Sequence, residues 1–214
     1  MSELLRFESI NIEVPFERIM RRLGFREGTT RLEGKKESDI KMAVLEASDL
    51  LELKGSARVL PILENSDGRV EIGFGSGDQA GKILFESNKL ADFLAGQKDV
   101  VFAAATAGKR VTDRMQKLEE QKKLSDASIV DTTASEMTDD ALEWIMNAVR
   151  VQLSPRGMEV SSRRYSAGFG DFALSYQAVF HRVLEMDLLG VSLTREFLLV
   201  PEKSVTALAG IWDL

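Results

Sequence analysis

The spacing of apolar positions changes several times along the chain, and each change marks an element. Residues 6–14 read as a strand. Pro15 sits at a helix start, so Phe16 to Leu23 reads as a short helix that Gly24 ends. Over 36–53 the residues Ile40, Val44, Ala47 and Leu51 recur at the helical period and predict a second helix. Strands over 56–62 and 69–75 are joined through Asn65, Ser66, Asp67 and Gly68, residue types that favour tight turns. Lys82 to Phe85 extends the sheet, and 88–95 is a short helix.

The run VVFAAATAG at 100–108 has no alternation and ends on glycine. It is too short for a typical core helix and reads as a buried strand. Helical patterns follow at 109–124, about 126–136 and 139–152, the last with Thr138, Asp139 and Asp140 available as a cap. Pro155 breaks the pattern. Beyond it come glycine turns, a helix at 173–185 and strands near 191–200 and 204–212. The whole predicts an α+β fold, a mixed and mainly antiparallel twisted sheet with packed helices, in one domain over 1–214.

Composition narrows the function classes. A chain of 214 residues, 44% hydrophobic, can bury a sizeable core. No apolar run reaches the roughly 18 residues of a membrane helix, and the polar start MSELLRFESINIEV lacks the pattern of a signal peptide. The expectation is a cytoplasmic protein that does not engage membranes. A net charge of −6 with scattered Lys and Arg argues against nucleic acid as a partner. With no cysteine there is no thiolate nucleophile, Cys-ligated zinc or iron–sulfur cluster, and a single histidine, His181, cannot build a multi-histidine metal site. His181 itself reads as a helix-surface residue.

Residues 73–83, GFGSGDQAGKI, invite comparison with phosphate-binding loops. The spacing fails. Ser76 stands five positions before Gly81 where a phosphate loop needs glycine, Ile83 follows Lys82 where Ser or Thr is required, and Gly73, Gly75 and Gly81 do not make the dinucleotide fingerprint. The stretch reads as a glycine-rich turn.

Candidate chemistry gathers instead in residues 159–211. Arg163 and Arg164 offer planar guanidinium forks suited to a carboxylate. Ser166, Ala167, Gly168 and Gly170 form a small-residue loop whose backbone a ligand can approach closely. Asp171 is placed to cap a helix opening near Phe172, and Glu202, Lys203 and Ser204 occupy a turn before the last apolar strand. On residue chemistry alone, a plain glycine-rich connection with surface charges fits these features too.

The words in this segment resemble the activation domain of vitamin B12-dependent methionine synthase. That family carries an Arg, three small or proline residues and Gly-Tyr, then a helix, then Ile-Gly-x-x-Leu-Thr-Glu-Ser and Pro-x-x-Ser-Val. Here RYSAGFGD stands at 164–171, LLGVSLTREF at 188–197 and VPEKSVTALAGI at 200–211, in the same order. More diffusely, FAAATAG at 102–108 and LEWIMNAVR at 142–150 resemble the strand and helix before the binding segment. Phe169 stands where the family has tyrosine, Arg195 where it has Glu, and the family's Asp-Trp-x-Pro-Phe-like segment is not found.

The resemblance implies binding of S-adenosylmethionine. Arg164 matches the arginine that holds its carboxylate. Tyr165, Ser166, Ala167 and Gly168 would surround it chiefly through backbone, Glu159 and Glu143 would match acidic residues for the amino group or ribose, and Ser204 would close the adenosine side. No side chain is implied as a covalent catalyst. The implied role is that of an accessory subunit for reactivation, placing the methyl donor over reduced cobalamin. Cobalamin would be supplied by the partner, a cobalamin-dependent methionine synthase lacking its own activation domain, and the electron by a flavodoxin-like or other donor. Two further readings stay open: a noncatalytic scaffold or assembly protein that has lost the ligand, and a component of another corrinoid methyltransferase system.

Overall fold

The computed structural model describes residues 3–25, 34–75 and 81–213. In chain order its elements are β1 (Leu4–Phe7), α1 (Phe16–Arg22), α2 (Gly34–Ser48), β2 (Lys54–Ser66), β3 (Arg69–Phe74), β4 (Gly81–Glu86), α3 (Asn88–Phe93), β5 (Asp99–Thr106), α4 (Lys109–Glu120), α5 (Leu124–Leu153), β6 (Met158–Val160), α6 (Gln177–Val183), β7 (Ser192–Leu193), β8 (Leu199–Val200) and β9 (Ser204–Asp213). The main sheet runs β4-β3-β2-β5-β9-β6, with β1 also on β2. Its pairings among the described residues are all antiparallel, and β7 with β8 makes a separate hairpin. The α+β class read from the sequence is the class observed.

β5 shows why alternation was invisible there. Val101, Ala103 and Ala105 enter one core, with α4 and α5, while Val100, Phe102 and Ala104 enter another, with α3 and α6. A strand buried on both faces reads as a continuous apolar run. The second core is aromatic: Phe85 meets Phe172 edge-on at 5.2 Å and Tyr176 at 4.9 Å, and Phe102 meets Phe180 at 5.1 Å. The first core is closed by α5, whose Ile145 is fully buried. Such burial is worth roughly 1.5–3 kcal/mol for one aliphatic side chain.

Several expectations are corrected. The first strand ends at Phe7; Ile10 leaves the sheet yet is buried, and its N–H donates to the Leu53 carbonyl at 2.9 Å. The patterns at 126–136 and 139–152 are one 30-residue helix. Thr138, read as a cap, is buried mid-helix and donates its hydroxyl to the Ala134 carbonyl at 2.6 Å. Asp140 pairs with Arg18 of α1, which raises the arginine's pKa chiefly through that hydrogen bond. A cap-like cluster is thus taken up by a side-chain back-bond and a partner far away in sequence. The strand expected near 191–200 is the β7–β8 hairpin, turned by Thr194, whose Oγ1 accepts from the Glu196 and Leu198 N–H groups at 3.2 Å. Helix 173–185 shrinks to α6 with flanking short turns, and part of the 73–83 turn, residues 76–80, lies outside the described residues.

Candidate functional site

Beyond β6 the chain stays on the edge of β9 but bulges. Ser161 donates to the Gly210 carbonyl at 2.9 Å, and Tyr165 exchanges both backbone hydrogen bonds with Leu208, at 2.9 and 2.8 Å. Ser162, Arg163 and Arg164 therefore span a step that Ala209 spans alone. The excess backbone turns out of the ladder, and it carries both arginines.

The arginines part company there. Arg163 is exposed, with its guanidinium 6.0 Å from the Phe93 ring. Arg164 approaches α5, where its Nη1 lies 3.9 Å from Glu143 Oε2. That distance allows ion pairing but is too long for a hydrogen bond, and Nη1 is buried without a hydrogen-bond partner among the described residues. Glu143 is held from its other side: Arg150 Nη1 donates to its Oε1 at 2.6 Å and to Asn147 Oδ1 at 2.5 Å, and Arg150 Nη2 donates to the Ser161 carbonyl at 3.2 Å.

The small-residue loop is pinned on several sides. The Ser166 hydroxyl donates to the Thr206 carbonyl at 2.8 Å, and the Thr206 hydroxyl donates to Gln177 Oε1 at 2.8 Å. Ala167 is buried in the aromatic core. Tyr165 stacks on Phe93 at 5.3 Å and donates its hydroxyl to the Phe169 carbonyl at 3.2 Å. Burial, with the charge of Asp171 adding to it, pushes the Tyr165 pKa up. Gly170 has φ +60°, and a Cβ there would lie 2.6 Å from Lys89 Cδ and 2.9 Å from the Tyr165 hydroxyl, so only glycine fits without displacement.

Asp171 does not cap a helix at Phe172. Its carboxylate accepts from Ser87 Oγ at 2.5 Å and from the Asn88 N–H at 2.8 Å, at the start of α3. The Ser87 hydrogen bond, then those from the Asn88 and Lys89 backbone, holds its pKa below the usual carboxylate value. Loop and α3 are thereby locked together.

The remaining candidates are dispersed. Glu159 is exposed on β6 opposite Trp212, whereas Ser204 opens β9 at its other end and donates to Thr106 Oγ1 at 2.8 Å. At the rise of an antiparallel strand these two positions are about 27 Å apart, too far for one nucleoside-sized ligand to touch both. His181 is largely buried, its Nε2 2.8 Å from the Val191 carbonyl.

No family model matches the sequence, and no curated protein matches it either. Among solved structures, the crystal structure of the MetH reactivation domain bound to AdoHcy aligns with 98% of this chain and 78% of that one, at a TM-score of 0.65 and 15% identity. The chain has the fold of the MetH reactivation domain. Within this MetH-like fold, the sequence singles out the 164–171 loop as the candidate binding segment but not Arg150, Asn147 or the Ser162–Arg164 bulge that lie beside it. Arg150 follows Glu143 by seven positions, two turns of one helix, so that pairing could have been found from the sequence. The bulge could not, since it depends on register against β9.

Proposed function

We propose that this chain is an S-adenosylmethionine-binding reactivation module for cobalamin-dependent methionine synthase. The observation that carries the reading is Arg164: a partly buried guanidinium on a bulge, whose buried Nη1 has no hydrogen-bond partner among the described residues and lies 3.9 Å from Oε2 of a carboxylate that Arg150 holds through Oε1. A buried cationic donor without an acceptor is costly, and a carboxylate ligand fits that need. Glu143 beside it suits the ligand's ammonium group, giving the two charges of an amino-acid zwitterion opposite partners. The likeness in fold to a domain solved with AdoHcy and the RYSAGFGD word support the same ligand class.

S-adenosylmethionine would supply an electrophilic methyl group. Arg164 and Glu143 would hold its amino-acid end, and the 166–168 turn, braced through Ser166 and Ala167, would supply backbone polar groups. Tyr165 contributes differently: its backbone is committed to Leu208, so its part is to stack on Phe93 and shape the loop. Because Glu159 and Ser204 lie at opposite ends of β9, at most one of them joins the same ligand. The chain's contribution to rate is placement, turning an encounter with reduced cobalamin into a local reaction. The cobalamin itself and the electron, from a flavodoxin-like or other donor, would come from partners.

A thermal melt with S-adenosylmethionine against an adenosine control tests this reading, because a ligand that binds only the folded state raises the melting temperature. An upward shift with S-adenosylmethionine alone is expected. A second reading, a scaffold that keeps the fold without the ligand, draws on Phe169, which lacks the family's hydroxyl and is 65% exposed. That reading expects no shift with either compound.

A further inference from the structure

Arg150, Glu143 and Arg164 form a chain of alternating charge in which the two links are unequal. The Arg150–Glu143 contact is 2.6 Å and the Glu143–Arg164 contact 3.9 Å. Charge-assisted hydrogen bonds close to about 2.7–2.9 Å when nothing opposes them. Arg150 makes the difference, since it is anchored at two further points, Asn147 Oδ1 and the Ser161 carbonyl. The second anchor lies on the segment that leads into the arginine bulge, so one guanidinium fixes both the carboxylate and the start of the loop facing it. With Glu143 held by that grip, the Arg164 Nη1 has no acceptor within hydrogen-bond distance among the described residues.

We infer that Arg150 is a positioning residue that keeps the Glu143–Arg164 pair open for the carboxylate and ammonium of an amino-acid ligand. The inference rests on the proposed S-adenosylmethionine reading. Without Arg150, Glu143 is free to close on Arg164, and the two groups neutralise each other instead of the ligand. The loss then falls on the amino-acid end alone. Nucleoside recognition by the rest of the site is untouched.

The test compares two ligands by calorimetry on the full chain: S-adenosylmethionine, and 5′-methylthioadenosine, which keeps the nucleoside and sulfur but lacks the amino-acid end. Arg150→Met is expected to weaken S-adenosylmethionine on the order of tenfold, the size of one charge-assisted contact, and to leave methylthioadenosine unchanged. Arg150→Lys, which keeps a charge to hold Glu143, is expected to restore most of the affinity; Arg150→Gln serves if the Met variant does not fold. A ligand-free arm measures the coupling of Glu143→Gln with Arg164→Gln in a double-mutant cycle of urea unfolding. That coupling is expected to be larger in the Arg150→Met background than in the chain that keeps Arg150. Equal loss of both ligands, or unchanged S-adenosylmethionine affinity with unchanged coupling, would overturn the inference. Failure of the unsubstituted chain to bind S-adenosylmethionine, together with a coupling that still rises, would overturn the ligand reading and leave Arg150 as a spacer of Glu143 only.

Discussion

Asp171 shows how one residue can decide the shape of a loop far from its sequence neighbours. Its carboxylate reaches 84 positions back to the Ser87 hydroxyl and also takes backbone N–H groups at the start of α3. A carboxyl group whose folded pKa is depressed stabilises the folded state above its ordinary value, and the gain fades as pH falls through the folded value. Asp171→Asn is therefore expected to lower stability at neutral pH, with the gap from the unsubstituted chain closing below the ordinary carboxyl value of 3.8. Urea unfolding across that range measures it. From sequence Asp171 looked like a local cap, because Asp before an apolar helical run is the usual cap signal. Its true partners belong to another element. The same limit applied at Thr138 and Asp140, whose side chains bond to Ala134 and Arg18. Arg164 was legible as a carboxylate binder from residue type and motif, whereas its half-satisfied state beside Glu143 depended on tertiary contact.

At the scale of elements, β2 and α5 meet where there is no side chain to separate them. A Cβ on Gly55 would lie 2.3 Å from both the Ala104 carbonyl oxygen and Ile145 Cδ1. One of these is backbone and cannot step aside. Gly55→Ala is expected to destabilise the fold by about 1–3 kcal/mol, the usual cost of overpacking a core, as read by denaturant midpoint. Gly24→Ala, at φ +90° with nothing among the described residues within 4 Å of a Cβ, meets backbone strain and serves as a comparison. The existence and type of most elements were readable from periodicity. Boundaries failed where partners lie outside the element: the two helical patterns fused into α5, and the strand expected near 191–200 folded back at Thr194.

For the whole molecule, one sheet separates two cores, an aliphatic one under α5 and an aromatic one under α3 and α6. The candidate loop runs along the β9 edge between them, with Arg164 facing α5 and Tyr165 facing the aromatic side. Among the described residues no helix is long and apolar enough to cross a membrane. In the proposed role cobalamin is brought by a cobalamin-dependent methionine synthase partner. Addition of this chain, with S-adenosylmethionine and a reductant, is expected to restore turnover to a cob(II)alamin-containing methionine synthase that lacks its own activation domain. Binding of S-adenosylmethionine without any rescue would retain the ligand and remove the partner, pointing to another corrinoid system.

Calorimetric titration of S-adenosylmethionine into the unsubstituted chain and into Arg164→Ala bears most directly on the central claim. Saturable binding by the first, weakened on the order of tenfold or more in the variant, is the expected result, in keeping with loss of a charged hydrogen-bond donor. No binding by the unsubstituted chain, or equal affinity in both, would contradict it.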